Sequence, residues 1–391
     1  MKRIHFICLF LCLTTTFGAR PAPGQTQSVL YNFTGGSDGS WPTSGLVSDH
    51  AGNLYGATYG GGLGYGVVFE LSPNGNGGWN EIVLYSFTGG TDGANPSSSL
   101  IFDKAGNAYG EVSYGGAFGH GAVFELSPAG AGWTEKVLHS FAGGADGVFP
   151  SSGLVFDAAG NLYGETYNGW GVATIFEMTP SGDEWTEQVI YNVITSGAGL
   201  TMDAAGNIFS ANYTTVFELS PNGQGGWTPT VIHTFAGYPK DGNYASSAPV
   251  LDQAGNLYGT TADGGRWYGG AIYKLSPAKN GRWKEKILYS VRGGKGISAL
   301  QGIVLDAAGN IYGNSFWGGR HAWGTVFELA APVGKGSYKE RILWNFTGTD
   351  GLNPLGSVML DDAGDLYGVT GKGGSTYGDD YGFGVVFKVT P

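Results

Sequence analysis

The chain writes one phrase seven times, and that repetition limits its fold more than any other feature. An apolar–aromatic pair preceded by Asn or Asp begins at Asn53, Asn107, Asn161, Asn207, Asn256, Asn310 and Asp365, at intervals of 54, 54, 46, 49, 54 and 55 residues. Three further phrases keep a fixed order around it. One is typified by S-G-L-V-F-D before Ala158, one by V-F-E-L-S-P from Val123, and one by W-T-E-K-V-L-H-S-F from Trp133. A unit of this size cannot bury a core alone, so neighbouring units must share one. The repeat therefore outweighs the two or three domains that 391 residues would otherwise suggest.

Each phrase is short, β-branched or aromatic, and fenced by Gly, Pro, Asn or Asp, which predicts strands. In order they are named A (S-G-L-V-F-D), B (N-L-Y-G), C (V-F-E-L-S-P) and D (the Trp-led phrase). The D-x-A-G-N link between A and B, as at Asp157 to Asn161, predicts a tight hairpin with glycine at positive φ. Four antiparallel strands per period of about 40–50 residues mark a β-propeller blade. The expected fold is all-β: a seven-bladed propeller with four antiparallel strands per blade. Six D strands follow their C strands, whereas S-V-L-Y-N-F from Ser28 has no A, B or C phrase before it, and Pro391 ends a C phrase. The N-terminal strand, 28–34, is therefore expected to complete the last blade in a 3+1 closure that leaves no free edge.

The combined motif F-x-G-G-x-D-G-x-x-P, D-x-A-G-N-L-Y-G-x-T, V-F-E-L-S-P resembles the GloVer (Gloeo/Verruco) tandem repeat of secreted bacterial proteins. The resemblance covers nearly all of the chain after its leader and implies export and a repeat array. It implies no activity. Relatives often carry C-terminal surface anchors, and V-V-F-K-V-T-P shows none; the fourth unit is degenerate.

Composition agrees with short strands and many turns. The 73 glycines have no Gly-X-Y period and accompany 14% aromatic residues, which excludes collagen and argues against disorder. Lys2 and Arg3 precede an apolar run from Ile4 to about Leu13, too short for a membrane span and typical of a signal peptide. The predicted division is 1–24 signal peptide and 25–391 a single propeller domain. Cys12 follows bulky Leu11, which disfavours a lipoprotein cleavage site. Cys8 and Cys12 both fall within the leader, so no disulfide is expected in the mature chain. Without Lys2, Arg3 and Arg20, 17 basic residues face 31 acidic ones, a net charge of −14. That acidity disfavours nucleic acid and anionic membranes as partners. A secreted, soluble monomer is expected, extracellular or periplasmic.

Functional candidates lie where the repeat is altered. In a propeller the D–A and B–C connections share one face. The B–C loops vary most, and blade four almost lacks one. Trp170, Arg266, Trp267, Trp317, Arg320 and His321 are the candidate ligand-binding residues, together with nearby Tyr268 and Trp323: aromatic planes beside polar groups suit sugar rings. The bland alternative is that these aromatics only cover blade tops. Glu111 and Glu165 share one B-strand position in blades two and three, and paired carboxylates could act as acid and base in glycoside cleavage. The alternative is a pair of solvated or Tyr-bonded carboxylates. The recurring loop residues Asp38, Asp92, Asp146, Asp241 and Asp350 read as turn caps rather than calcium ligands, because one carboxylate per blade is thin for that ion.

His139 and His233 stand where Tyr85 and Tyr289 do, as structural substitutes. Lys136, Lys286 and Arg341 are expected to pair across strands with the glutamates led by Glu70 and Glu125. No metal site and no cofactor are expected, and no phosphate loop or nucleophile elbow is present. The leading expectation is a non-catalytic binding propeller for an extracellular polysaccharide or other polymer. A carbohydrate-active hydrolase or lyase using Glu111 and Glu165 comes second, and a structural cell-surface protein third.

Overall fold

The computed structural model describes residues 24–391 except 131, 168–171, 195–197, 293–296 and 377–380. The predicted leader up to residue 23, both cysteines and Trp170 lie outside the described residues.

Seven antiparallel sheets follow one another along the chain, each built in the order A, B, C, D. Blade one uses Ser40–Pro42 with Val47–Ser48 (A), Leu54–Gly60 (B), Val67–Pro73 (C) and Trp79–Ser86 (D). The seventh sheet takes Leu352–Leu360, Leu366–Lys372 and Val385–Thr390 from the C-terminus and Thr26–Asn32 from the N-terminus. In that last pair Thr26 lies opposite Thr390 and Asn32 opposite Val385. The N-terminal strand thus begins and ends two residues earlier than the expected 28–34. Among the described residues the only helical element is a 3-10 turn at Lys279–Gly281, and no helix is long and apolar enough to cross a membrane.

The C strand is buried on both faces because it is stacked between neighbouring blades. Val67, Val68, Phe69 and Leu71 are all fully buried, and only Glu70 in that run reaches water. One device joins successive blades. In five seams the Phe that ends the D phrase meets the C-strand ring of the next blade edge to face, in Phe33–Phe69, Phe87–Phe124, Phe141–Phe176, Phe235–Tyr273 and Phe346–Phe387, with centroids 5.1–5.2 Å apart; Val193 and Val291 take the place in the other two. Such pairs add about 0.5–1.5 kcal/mol each beyond area burial.

The glycine of N-L-Y-G has a specific neighbour. A Cβ on Gly56 or Gly110 would lie 2.6 Å from Cζ of Phe69 or Phe124, the C-strand ring of the same blade. Blade four has Ser210 at this register, opposite Phe217. There Phe217 lies against Tyr191 at 5.7 Å with a 44° tilt.

The A–B turns are seven copies of one clamp. In blade three, Asp157 Oδ1 accepts from the backbone N–H of Ala159 and Asn161, and Oδ2 accepts from Asn161 Nδ2 and the Tyr163 hydroxyl. The aromatic residue of the B phrase therefore locks the turn that precedes it. In blade four Phe209 replaces that tyrosine, and Asp203 keeps only its bonds from Ala205 and Asn207.

Candidate functional site

The opposite face is held together by loop-to-loop hydrogen bonds. In four blades the B–C loop bonds the D–A loop beside it, as in Gly62 N–H to Gly36 O at 2.8 Å and Gly116 N–H to Gly90 O at 3.0 Å. Five A strands also enter by donating to the B–C loop of the preceding blade, among them those of blades one, two, three and five. Trp41 N–H reaches Phe383 O, Asn95 N–H reaches Tyr65 O, Phe149 N–H reaches His120 O, and Tyr244 N–H reaches Tyr213 O, at 2.7–2.9 Å. The two loop sets thus share one face and are linked around the ring.

That face carries every solvent-exposed aromatic side chain among the described residues, including Trp41, Tyr65, Tyr114, Trp267, Tyr268 and Trp317. The exposed apolar residues elsewhere are aliphatic: Ile82, Val231 and Val333. Three aromatics at the A-strand entry are also conformationally unusual. Trp41, Phe149 and Tyr244 have φ of 59°, 52° and 57°, the left-handed region, where Asn95 and Asn353 hold the matching places in blades two and seven. Asn is at home in that region, whereas a bulky ring there is rare and costs about 1–3 kcal/mol, a pattern that concentrates at ligand-binding positions. The asparagines use their side chains locally: Asn95 Nδ2 donates to Tyr59 O and Asn353 Nδ2 to Phe316 O. The rings pair instead with the preceding blade, Phe149 with Tyr114 at 5.1 Å and Tyr244 with Tyr213 at 4.7 Å.

Blade four opens a notch on this face. Its B–C connection is only Asn212 to Thr214, and a cavity of about 410 Å³ takes the place of a loop. Tyr191, Tyr213, Phe217 and Tyr244 wall it, and Asn243 lies at its rim. Asn212 Oδ1 is occupied by Thr214 N–H, Thr215 N–H and the Thr215 hydroxyl, so it fixes the shortened turn.

Of the residues singled out from sequence, Trp267 has the most defined surroundings. It is 44% exposed, with the guanidinium groups of Arg266 and Arg292 each 5.0 Å from its ring. Arg292 was not among the candidates; it lies in the next D–A loop, and only folding brings it beside a B–C tryptophan. Trp317 is 49% exposed and meets Phe316 edge to face. Arg320 and His321 are exposed in the same loop, where His321 lies 6.0 Å from Trp323 and Arg320 N–H bonds Asn345 Oδ1. Tyr268 stacks on Tyr238 at 3.6 Å. Trp267 and Trp317 stand on different blades, each within its own cluster.

Glu111 and Glu165 occupy different surroundings. Glu111 is fully buried in the seam between blades two and three, where Oε2 accepts from Gly153 N–H at 2.8 Å. Burial raises its pKa to about 7, and the Gly153 bond offsets part of the shift. Glu165 is 2% exposed and lines a cavity of about 260 Å³ with Ser151, Ser152, Tyr167, Ala245 and Ser246. Glu111 is not part of that cavity.

The loop aspartates act as local caps. Asp38 Oδ2 accepts from Thr34 N–H and the Tyr31 hydroxyl, and Oδ1 accepts from the Thr34 hydroxyl. Asp92 repeats this with Thr88 and Tyr85. A glutamate from the next D strand lies beside each one. Burial, then the charge of Asp38, raises Glu81 to about 7; burial, then Asp92, does the same to Glu135.

The expected cross-strand ion pairs form once, between Arg341 Nε and Glu328 Oε2 at 2.7 Å. Lys136 bonds the Asp183 carbonyl instead, and Lys286 faces Lys274. Glu70 and Glu125 accept from Ser72 and Ser127, two residues along their own strands.

A larger cavity, about 710 Å³, lies on the opposite face between the Asp157 and Asp203 turns. Its aspartates are the turn clamps described above, and its one glutamate, Glu177, accepts from the Tyr163 hydroxyl, so it offers little to a ligand.

Fold and loop face together define a seven-bladed β-propeller with an aromatic upper surface. The chain belongs to the Gloeobacter/Verrucomicrobia repeat family, whose model matches residues 14–169, 64–242 and 190–391. A comparison with curated protein sequences finds no match. Among solved structures, the chain is similar to a streptogramin B lyase, with a TM-score of 0.58 and 14% identity over 94% of this chain and 97% of that one. It is equally similar to a catalytically inactive virginiamycin B lyase from Staphylococcus aureus with quinupristin (TM-score 0.58, 14% identity, 94% and 99% covered). At such identity the likeness concerns the fold alone.

Proposed function

We propose that the protein is an exported binding propeller whose D–A/B–C face grips an extracellular polysaccharide. One observation carries the reading: all exposed aromatic side chains of the described residues lie on that face, and Trp41, Tyr244, Tyr268 and Tyr381 among them are held in the left-handed backbone region. Pyranose rings stack on such planes through their C–H faces, while arginines, asparagines and hydroxyls meet the sugar hydroxyls. The notch walled by Tyr191, Tyr213 and Tyr244 falls within the usual size range of ligand cavities, about 300–1,000 Å³. The leader-like N-terminus supports export. The test is depletion of the mature protein by a panel of insoluble polysaccharides, with sugar release scored in parallel. Binding that Y213A/Y244A and W267A/W317A each weaken at least tenfold supports the reading; retention unaffected by either pair removes it.

A second reading, a hydrolase or lyase, rests on the carboxylate of Glu165 beside its cavity. It requires sugar release that E165Q abolishes. The full burial of Glu111 weighs against a two-carboxylate mechanism.

A further inference from the structure

Around the outer rim, four seams between blades repeat a three-part contact. A D-strand residue of one blade, the aspartate of the following D–A loop and a glutamate from the next D strand come together. In two seams the sequence supplies Tyr, Asp and Glu: Tyr31 with Asp38 and Glu81, and Tyr85 with Asp92 and Glu135. Two other seams supply histidine in place of tyrosine. His139, Asp146 and Glu187 form one cluster, and His233, Asp241 and Glu285 form the other, each with its donor atoms within 4.8 Å of one another.

Where tryptophan takes the position, at Trp344, Nε1 donates to Asp350 Oδ2 and Gln27 from the next strand donates to the Asp350 carbonyl. Tyrosine and tryptophan thus show that the seam needs only a hydrogen-bond donor there. Histidine adds something the seam does not require, a ring nitrogen beside two carboxylates that becomes a metal ligand once it gives up its proton.

The second cluster is the better formed. His233 Nε2 lies 3.4 Å from Asp241 Oδ2 and 3.4 Å from Glu285 Oε1. Both distances exceed the ordinary N–H···O range of about 2.7–3.2 Å, and buried His233 Nε2 has no hydrogen-bond partner; Glu285 Oε1 has none either, as holds for Glu81, Glu135 and Glu187 at the matching positions. Nitrogen and oxygen ligands about 2.0–2.2 Å from a tetrahedral zinc ion stand about 3.3–3.5 Å apart, the spacing found here. The second shell is also in place. Ala236 N–H and Gly237 N–H hold Asp241 Oδ1 at 2.7 Å, which leaves Oδ2 facing the imidazole, and Phe235 packs against the ring at 5.0 Å. With both carboxyls ionised and the imidazole neutral, as metal ligation requires, the set carries two negative charges.

We propose that His233, Asp241 and Glu285 form a divalent transition-metal site of the zinc class, with His139, Asp146 and Glu187 as a second copy. Three protein ligands leave a fourth position for water or another donor. In the His139 copy Nε2 is already 3.0 Å from Asp146 Oδ1, a hydrogen bond that metal must displace, so this copy binds more weakly.

The test uses the full mature chain without a histidine tag, stripped by chelator, loaded with Zn²⁺ alone and dialysed before metal analysis and thermal melting. The expected result is close to two zinc ions per chain, falling by one in H233Y and to none in H139Y/H233Y, with a zinc-dependent rise in Tm lost in the double variant. Tyrosine is the natural occupant of this position in other blades, so these variants keep the fold; a Tm without metal close to the parent's checks that. H50A and H321A act as surface-histidine controls and retain full loading. Zinc that is retained equally by the parent and the double variant overturns the proposal, as does a parent that retains none. Loss in H233Y alone, with H139Y unchanged, overturns the His139 copy and keeps the His233 site.

Discussion

The ring of Tyr244 lies 4.7 Å from that of Tyr213 and is tilted by 58° to it, so two adjacent blades each supply one wall of the notch. Tyr244 holds this position with φ of 57°. Replacing it by the asparagine of the equivalent places at 95 and 353 removes the misfit of a bulky ring, worth about 1–3 kcal/mol, against loss of a partly exposed contact. Y244N is therefore expected to unfold at higher urea, by about 1 kcal/mol, while retention on polysaccharide drops. A variant that loses stability and keeps retention would show that the tyrosine is there for packing.

Stability is expected to peak on the acid side of neutrality. Burial raises Glu81 and Glu135 from 4.5 to about 7. A raised folded pKa means that the folded state holds its proton more tightly than the unfolded chain, so stability declines as pH climbs from about 4.5 through 7. The turn aspartates act oppositely. At Asp49 and Asp103 burial alone would raise the pKa, but hydrogen bonds from Asn53 and Asn107 and their neighbours outweigh it and hold the carboxyls below 3.8. Their contribution is present above that value and lost as pH falls through the lowered one. Melting scans from pH 3 to 8 (roughly the span of these carboxyl pKa values) should show a maximum near 4–5, and E81Q/E135Q should flatten the alkaline side. A maximum at or above neutrality contradicts these assignments.

Gly110 has no room for a side chain, since its Cβ would meet Phe124 Cζ at 2.6 Å and Leu100 Cδ2 at 3.0 Å. G110A should cost about 1–3 kcal/mol through overpacking, read from chemical denaturation. The double variant G110A/F124L, which shortens the obstructing ring, should recover part of that loss. No recovery would place the strain in the backbone instead.

Removing the N-terminal strand tests ring closure. Val29 packs on the core cluster around Phe387, and fully buried Phe33 meets Phe69 of blade one. A chain starting at Thr34 exposes the C strand of the seventh blade as a free edge. It should lose cooperative melting and self-associate, as judged by calorimetry and light scattering. An unchanged melt would mean that the strand is dispensable.

Much of the architecture could be read from the repeat because each blade restates it. The order of the four phrases, the turn glycines and the count of seven needed no long-range information. The seams were harder to read. That Tyr163 bonds Asp157 across its own hairpin, or that Phe124 lies over Gly110, depends on which way a side chain leaves the pleat. The candidate face was legible as loops with aromatic residues, but its geometry was not. Arg292 reaches Trp267 from another loop, and nothing in the local sequence marks Trp41, Phe149 and Tyr244 as left-handed. The one available signal was that these residues align with Asn95 and Asn353. Likewise, His139 and His233 align with tyrosines, yet only the fold brings each beside two carboxylates from separate segments.

The pairing of Thr26 with Thr390 sets how the ring responds to force. Because the two strands are antiparallel, the chain leaves both at the same end of the ladder. Tension applied to the two ends of the polypeptide therefore loads that ladder one rung at a time, as a zipper is opened, rather than shearing all its hydrogen bonds together. Held by both ends, the ring would open at its closing seam under low load.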